Sequence, residues 1–176
     1  MSDLSWGEDM KIDDDHIYHG AALTQIAEHP QFTAINVFKG PKGNSRSAFK
    51  INDDIGVYLK YATAPKKSHS EYQFSFRQEH LDELRAISAR VSRVFVALVC
   101  VEGKEICCLN LDELMALIDC RRQAKGTSEE QYTILLQLPH RGRFRAYVNA
   151  PGRKNLKQGK NLIIPRSDFP AKLFGE

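Results

Sequence analysis

The chain has 176 residues, enough for one domain with a real core, and its 42% apolar and 27% charged residues are those of a globular protein. No apolar run approaches the roughly 20 residues that cross a bilayer as a helix; the longest, "VFVALVCV" (Val94 to Val101), has the length of a strand. The net charge of +3 is unevenly spread: residues 1–119 carry 13 Lys/Arg against 18 Asp/Glu and residues 120–176 carry 12 against 4, which makes the C-terminal third the surface suited to a polyanion.

Residues 1–15 are acidic and lack an apolar signal region, so a flexible tail and a cytoplasmic location are expected, with no membrane partner. "DDDHIYH" (Asp13 to His19) reads as a solvated helix start, with acidic residues favourable at its N-terminus. The helix itself is "YHGAALTQIAEH", with Ala22, Leu23, Ile26 and Ala27 on one face and Pro30 beyond its end. "FTAINVF" is a strand by its β-branched and aromatic content, and "KGPKGNSRS" reads as a loop. A hairpin follows: "SAFKI" rises, "NDD" turns, "IGVYLKYA" returns.

"TAPKKSHS" is a basic loop, and "EYQFSF" a third strand with Tyr72, Phe74 and Phe76 in phase. Leu81, Leu84, Ile87 and Val91 recur at helical spacing, and "VFVALVCV" suits a strand buried on both faces. "EICCLN" completes another hairpin, in which Cys107 and Cys108 point to opposite faces and serve no common site. "NLDELMALID" is a short helix that Asn110 caps, with Glu113 at the reciprocal capping-box position. "YTILLQLP" and "RFRAYVNA" form a last hairpin, and the tail after it reads as irregular and basic.

These elements define an α/β fold: a mixed sheet of five or six strands flanked by two or three helices, with an α/β core over 16–119 and a basic hairpin and tail over 120–176 packed on the same domain. The lysine inside "IGVYLKY" is the residue with two readings. It is either a half-exposed strand residue that snorkels its amine to water or part of a site.

The run from about Tyr18 to Ile118 resembles the core of PD-(D/E)XK nuclease-like domains, the restriction-endonuclease-like fold. The resemblance rests on the order of elements and on "Y-L-K" (Tyr58, Leu59, Lys60), which stands where the family carries D/E-x-K. It implies a divalent metal, usually Mg2+, held by two carboxylates and a lysine that orients the attacking water. Residue by residue it implies Lys60 as the lysine, Asp54 (beside Asp53) as the nearest carboxylate, Glu28 as the acid of the first helix and Gln78 as the glutamine of the second. Tyr58 departs from the pattern, because a phenol stays protonated at neutral pH, and "SAFKI" has no Asp. The implied metal site is therefore incomplete.

Phosphate contacts are expected from Lys66, Lys67 and His69, from Arg141, Arg143 and Arg145 beside a base-stacking Tyr147, and from Arg153, Lys154, Lys157 and Lys160. The expected function is nucleic-acid binding by a nuclease-like domain. The alternative is a non-catalytic protein-interaction module of a multi-protein assembly.

Overall fold

The computed structural model describes residues 11–40, 43–66, 70–153 and 156–175. The tail reading for residues 1–10, and the contacts expected from Lys67, His69 and Lys154, fall outside these residues. The elements run α1 (Asp14–Ala27), β1 (Ile35–Gly40), β2 (Gly43–Ile51), β3 (Ile55–Ala62), β4 (Glu71–Arg77), α2 (Gln78–Ser88), β5 (Arg93–Cys100), β6 (Glu105–Asn110), α3 (Leu111–Lys125), β7 (Gln131–Gln137), β8 (Phe144–Asn149) and β9 (Lys157–Ile164). Two short 3-10 turns, Arg166–Asp168 and Ala171–Phe174, follow.

The α/β class and the mixed five-stranded sheet are as expected. Its order is β1-β2-β3-β5-β6, with β3 and β5 parallel from Ile55↔Arg93 to Ala62↔Cys100 and the remaining pairs antiparallel. A second sheet was not expected. It is four-stranded and antiparallel, in the order β4-β7-β8-β9. β4 is the "EYQFSF" strand, and it leaves the first sheet because β5 takes the place beside β3. The C-terminal hairpin then pairs with β4, so the basic third of the chain shares a sheet with a strand of the core.

β1 is Ile35–Gly40 where Phe32 to Phe38 was expected, and β2 and β9 reach further than the sequence indicated. Gly43 to Ser47, read as part of a loop, belong to β2, and "KQGKNLII" is β9 rather than irregular tail. Most of β9 lies at or near the surface, so its sequence carries no apolar alternation to read. Helix α1 starts at Asp14, capped by Asp13, which accepts the His16 N–H at 3.0 Å. Helix α3 has the expected capping box between Asn110 and Glu113 and ends at Gly126, whose φ of 80° suits a residue without Cβ.

Two apolar clusters separate the layers. Tyr58, Val96, Leu98, Cys107 and Leu109 face α2, α3 and the second sheet, where Phe74, Phe76, Ile134 and Phe144 meet them. On the opposite face Val57, Leu59, Ala97 and Cys108 pack under Ala22 and Ile26 of α1 and under Phe169, Leu173 and Phe174. Cys107 and Cys108 thus go to different cores, and all four cysteines are free thiols.

Helix α2 lies close on β3 because Gly56 has no side chain: a Cβ there meets Ile87 Cγ2 at 2.6 Å and Val91 Cγ2 at 3.1 Å. Gly56→Ala is expected to destabilise the fold by about 1–3 kcal/mol through overpacking. Urea unfolding measures this, and an unchanged midpoint contradicts the close approach.

Candidate functional site

Strand β3 is paired on both sides only as far as Tyr58. Its pairing with β2 ends at Ala48↔Tyr58, while that with β5 runs on to Ala62. Beyond Tyr58 the β2 side of β3 opens, and a pocket of about 320 Å3 forms there. Asp15 and His19 of α1, Ser47 of β2, Tyr58 and Lys60 of β3, and His80 of α2 line it. Gln73 and Ser75 add the open edge of β4.

Lys60 does not snorkel to water. Its amine donates to the Ser75 carbonyl, lies 3.3 Å from His80 Nδ1 and sits 4.8 Å from the centre of the Phe76 ring. Burial, reinforced by Arg77, pushes the amine down to about 8. His80 Nδ1 also accepts the Arg77 N–H at 3.0 Å, so the proton of a neutral His80 is on Nε2. Burial and the neighbouring Lys60 push the His80 imidazole below its ordinary value, which favours that neutral form.

Tyr58, beside Lys60 on the strand face, is held protonated. Burial and the Glu83 carboxylate push its phenol up; the hydroxyl hydrogen bonds to Glu83 and to Ser47. Ser45 also donates to Glu83.

His19 is 5% exposed rather than part of a solvated helix start. Its Nδ1 lies 3.1 Å from the Arg46 carbonyl, which only accepts, so Nδ1 carries the proton and Nε2 a lone pair. Burial pushes this imidazole down, against the pull of Asp15. Asp15 itself pairs with Arg46 at 3.4 Å.

The carboxylates expected beside Lys60 are elsewhere. Asp54 lies in the β2–β3 turn, six residues and about 20 Å of strand from Lys60, and pairs with Arg93 at 3.3 Å. Glu28 is the exposed residue at the C-terminal end of α1, about 20 Å along the helix from Asp15. Gln78 turns to Asp82 at 2.9 Å, so His80 is the α2 residue that reaches the pocket.

Ser47 went unnoticed in the sequence, and Asp15 and His19 were read only as part of a solvated helix start. The i, i+4 spacing of Asp15 and His19 put them on one helix face, but only the tertiary fold brings that face to the end of β3. The pocket does not fit magnesium. Hard cations want several carboxylate or carbonyl oxygens, and among the described residues Asp15 is the only carboxylate on the pocket wall. Among the described residues no three His, Cys, Asp or Glu side chains gather as a metal site.

A second surface lies on the outer face of the second sheet. A groove of about 690 Å3 there is bordered by Lys66, Arg121 and Arg153, with Gln73, Gln131 and Thr133 along it. Arg145 is exposed on β8; Arg143 is exposed just before it, and Arg141, with φ 58°, in the preceding turn. Among the described residues Lys66, Arg141, Arg143, Arg145 and Arg153 form no ion pair with an acid. Arg121 is neutralised by Glu129 at 2.6 Å.

Tyr147 is not a stacking platform: it is 3% exposed, its hydroxyl donates to the buried Glu71, and Lys157 Nζ covers its ring at 4.5 Å. The strand alternation placed it beside Arg145 but did not show that a carboxylate 76 residues away holds it.

Comparison with protein-family models, with curated proteins and with solved structures gave no match.

Below pH 8 Lys60 is charged in both the folded and the unfolded chain, and the cost of burying the charge is fully present. Between about 8 and its ordinary 10.5 the unfolded chain holds the proton that the folded chain has released, so this group adds stability as pH rises. NMR of the lysine side chains is expected to show one amine titrating near 8. The stability of the wild type relative to Lys60→Met is expected to climb from pH 8 to pH 10. A Lys60 midpoint at the ordinary value contradicts the buried amine.

Proposed function

We propose that this chain is a nucleic-acid-binding domain on a nuclease-like core whose magnesium site is incomplete. The observation that carries this is the set of cations without acidic partners, Lys66, Arg141, Arg143, Arg145 and Arg153, on and around the outer face of the second sheet. Cations left unpaired on one side of a protein are available to phosphates, and each contact formed releases condensed counterions. The groove beside them offers amide and hydroxyl groups from Gln73, Gln131 and Thr133, the donors and acceptors that contact sugar and base edges.

The nuclease-like half of the reading is supported by the order of elements from α1 to β6 and by the pocket around Lys60. In that pocket Ser47 and Tyr58 stand on the strands where the resemblance implies acids. A protein partner is the second reading. It is favoured by β1, an edge strand that exposes Ile35 and Val37, since such an edge is a template for pairing with another chain.

Fluorescence anisotropy with single-stranded and duplex oligonucleotides across a salt series tests the proposal. Affinity is expected to fall steeply with salt. Replacing Arg143, Arg145 and Arg153 singly by Ala is expected to reduce the log–log slope by about 1 each and to weaken binding alike on all sequences. No binding at low salt, or a slope that these substitutions leave unchanged, refutes it and leaves the protein-partner reading.

A further inference from the structure

The Lys60 pocket contains a chemistry that needs no metal. We infer that it cleaves single-stranded RNA, with His19 as general base and Lys60 as general acid, a function that rests on the nucleic-acid reading above. The 2′-hydroxyl oxygen attacks the adjacent phosphorus while His19 Nε2 takes its proton. The bond from phosphorus to O5′ breaks, and O5′ takes a proton from Lys60 Nζ. The products are a 2′,3′-cyclic phosphate end and a 5′-hydroxyl end. Nothing is oxidised or reduced, no water is consumed, and solvent returns each group to its starting form.

Three observations carry this. The Arg46 carbonyl fixes the His19 proton on Nδ1, which leaves Nε2 as the lone pair of a base. Lys60 spends two of its three N–H groups on the Ser75 carbonyl and His80 Nδ1, and the third is left for a ligand. The two groups line the same pocket, whose volume of about 320 Å3 lies at the lower end of the range of ligand sites.

RNA rather than DNA follows from the same residues. Among the described residues the pocket has no acid pair to hold a metal, and a nucleophile carried by the substrate beside its phosphorus needs none. The 2′-hydroxyl is the group that RNA has and DNA lacks. His80 is a positioning residue: it accepts a hydrogen from Lys60 and aims the remaining one.

Activity needs His19 neutral and Lys60 charged. His19 faces Asp13, Asp15 and Arg46, and Lys60 faces Arg77, Glu79 and His80. Burial lowers both groups, so the profile is expected to rise at a pH below the ordinary histidine value and to fall near pH 8.

The test uses the full chain, a short single-stranded RNA and its 2′-O-methyl counterpart, both in EDTA. Mass spectrometry reads the product ends and anisotropy reads binding. Cyclic phosphate ends from RNA alone are expected. Lys60→Met and His19→Gln are each expected to lower the rate by at least about 100-fold while RNA binding is kept and the chain stays folded at the assay temperature. If His19→Gln does not fold, the acid limb of the wild-type pH profile decides the base. A limb at or above the ordinary histidine value removes His19 from the role.

RNA that binds but stays intact overturns this inference and leaves the binding proposal standing. So does cleavage that needs a divalent metal, spares neither substrate or survives Lys60→Met. RNA that does not bind removes this inference, and the binding proposal falls with it only where DNA does not bind either.

Discussion

The parallel pairing of β3 with β5 constrains everything around it. Parallel neighbours need a crossover, because a hairpin joins only antiparallel strands. Here the crossover holds both β4 and α2. With β5 on one side of β3 and β2 on the other, β4 has no place beside β3. It becomes the edge of a second sheet that the C-terminal hairpin completes. Gly56 allows α2 to sit directly on β3.

The Lys60 pocket is the by-product of that arrangement. β4 presents its open edge to the end of β3 from which β2 has already departed. The Ser75 carbonyl on that edge has no strand partner, and the Lys60 amine satisfies it. An unpaired edge carbonyl in a half-buried place is costly, and so is a buried ammonium. Each offsets part of the other's cost. The residual penalty on the ammonium is visible as the lowered proton affinity of Lys60. A group held in this state gives up its proton more readily than a surface lysine does, which is what proton transfer near neutral pH requires.

Much of the first sheet was legible in the sequence, because its strands are apolar runs or alternate cleanly. Lys60 was legible as a neighbour of Tyr58 from the two-residue period alone. The second sheet was not, because its membership depends on a competition between β4 and β5 for the flank of β3 that no local pattern records. β9 was missed because a strand near the surface has no apolar face to reveal it. Among the site residues, Asp54 looked close to Lys60 in a linear reading and Glu28 entered through the resemblance, but a turn and a helix put them at the far ends of their elements. His19 looked solvated because its burial comes from Arg46 and Tyr61, which the fold brings from distant parts of the chain.

The central claim is that phosphodiester chemistry and Lys60 meet in one pocket. The most direct measurement is chemical-shift mapping of the full chain with an RNA in which the reacting 2′-hydroxyl is replaced by hydrogen, so that the complex persists. The account predicts that the signals of Lys60, His19 and His80 move together with those of Arg145 and Arg153, and saturate at the same concentration. Shifts confined to the arginine face, with the three pocket residues unmoved, would contradict it.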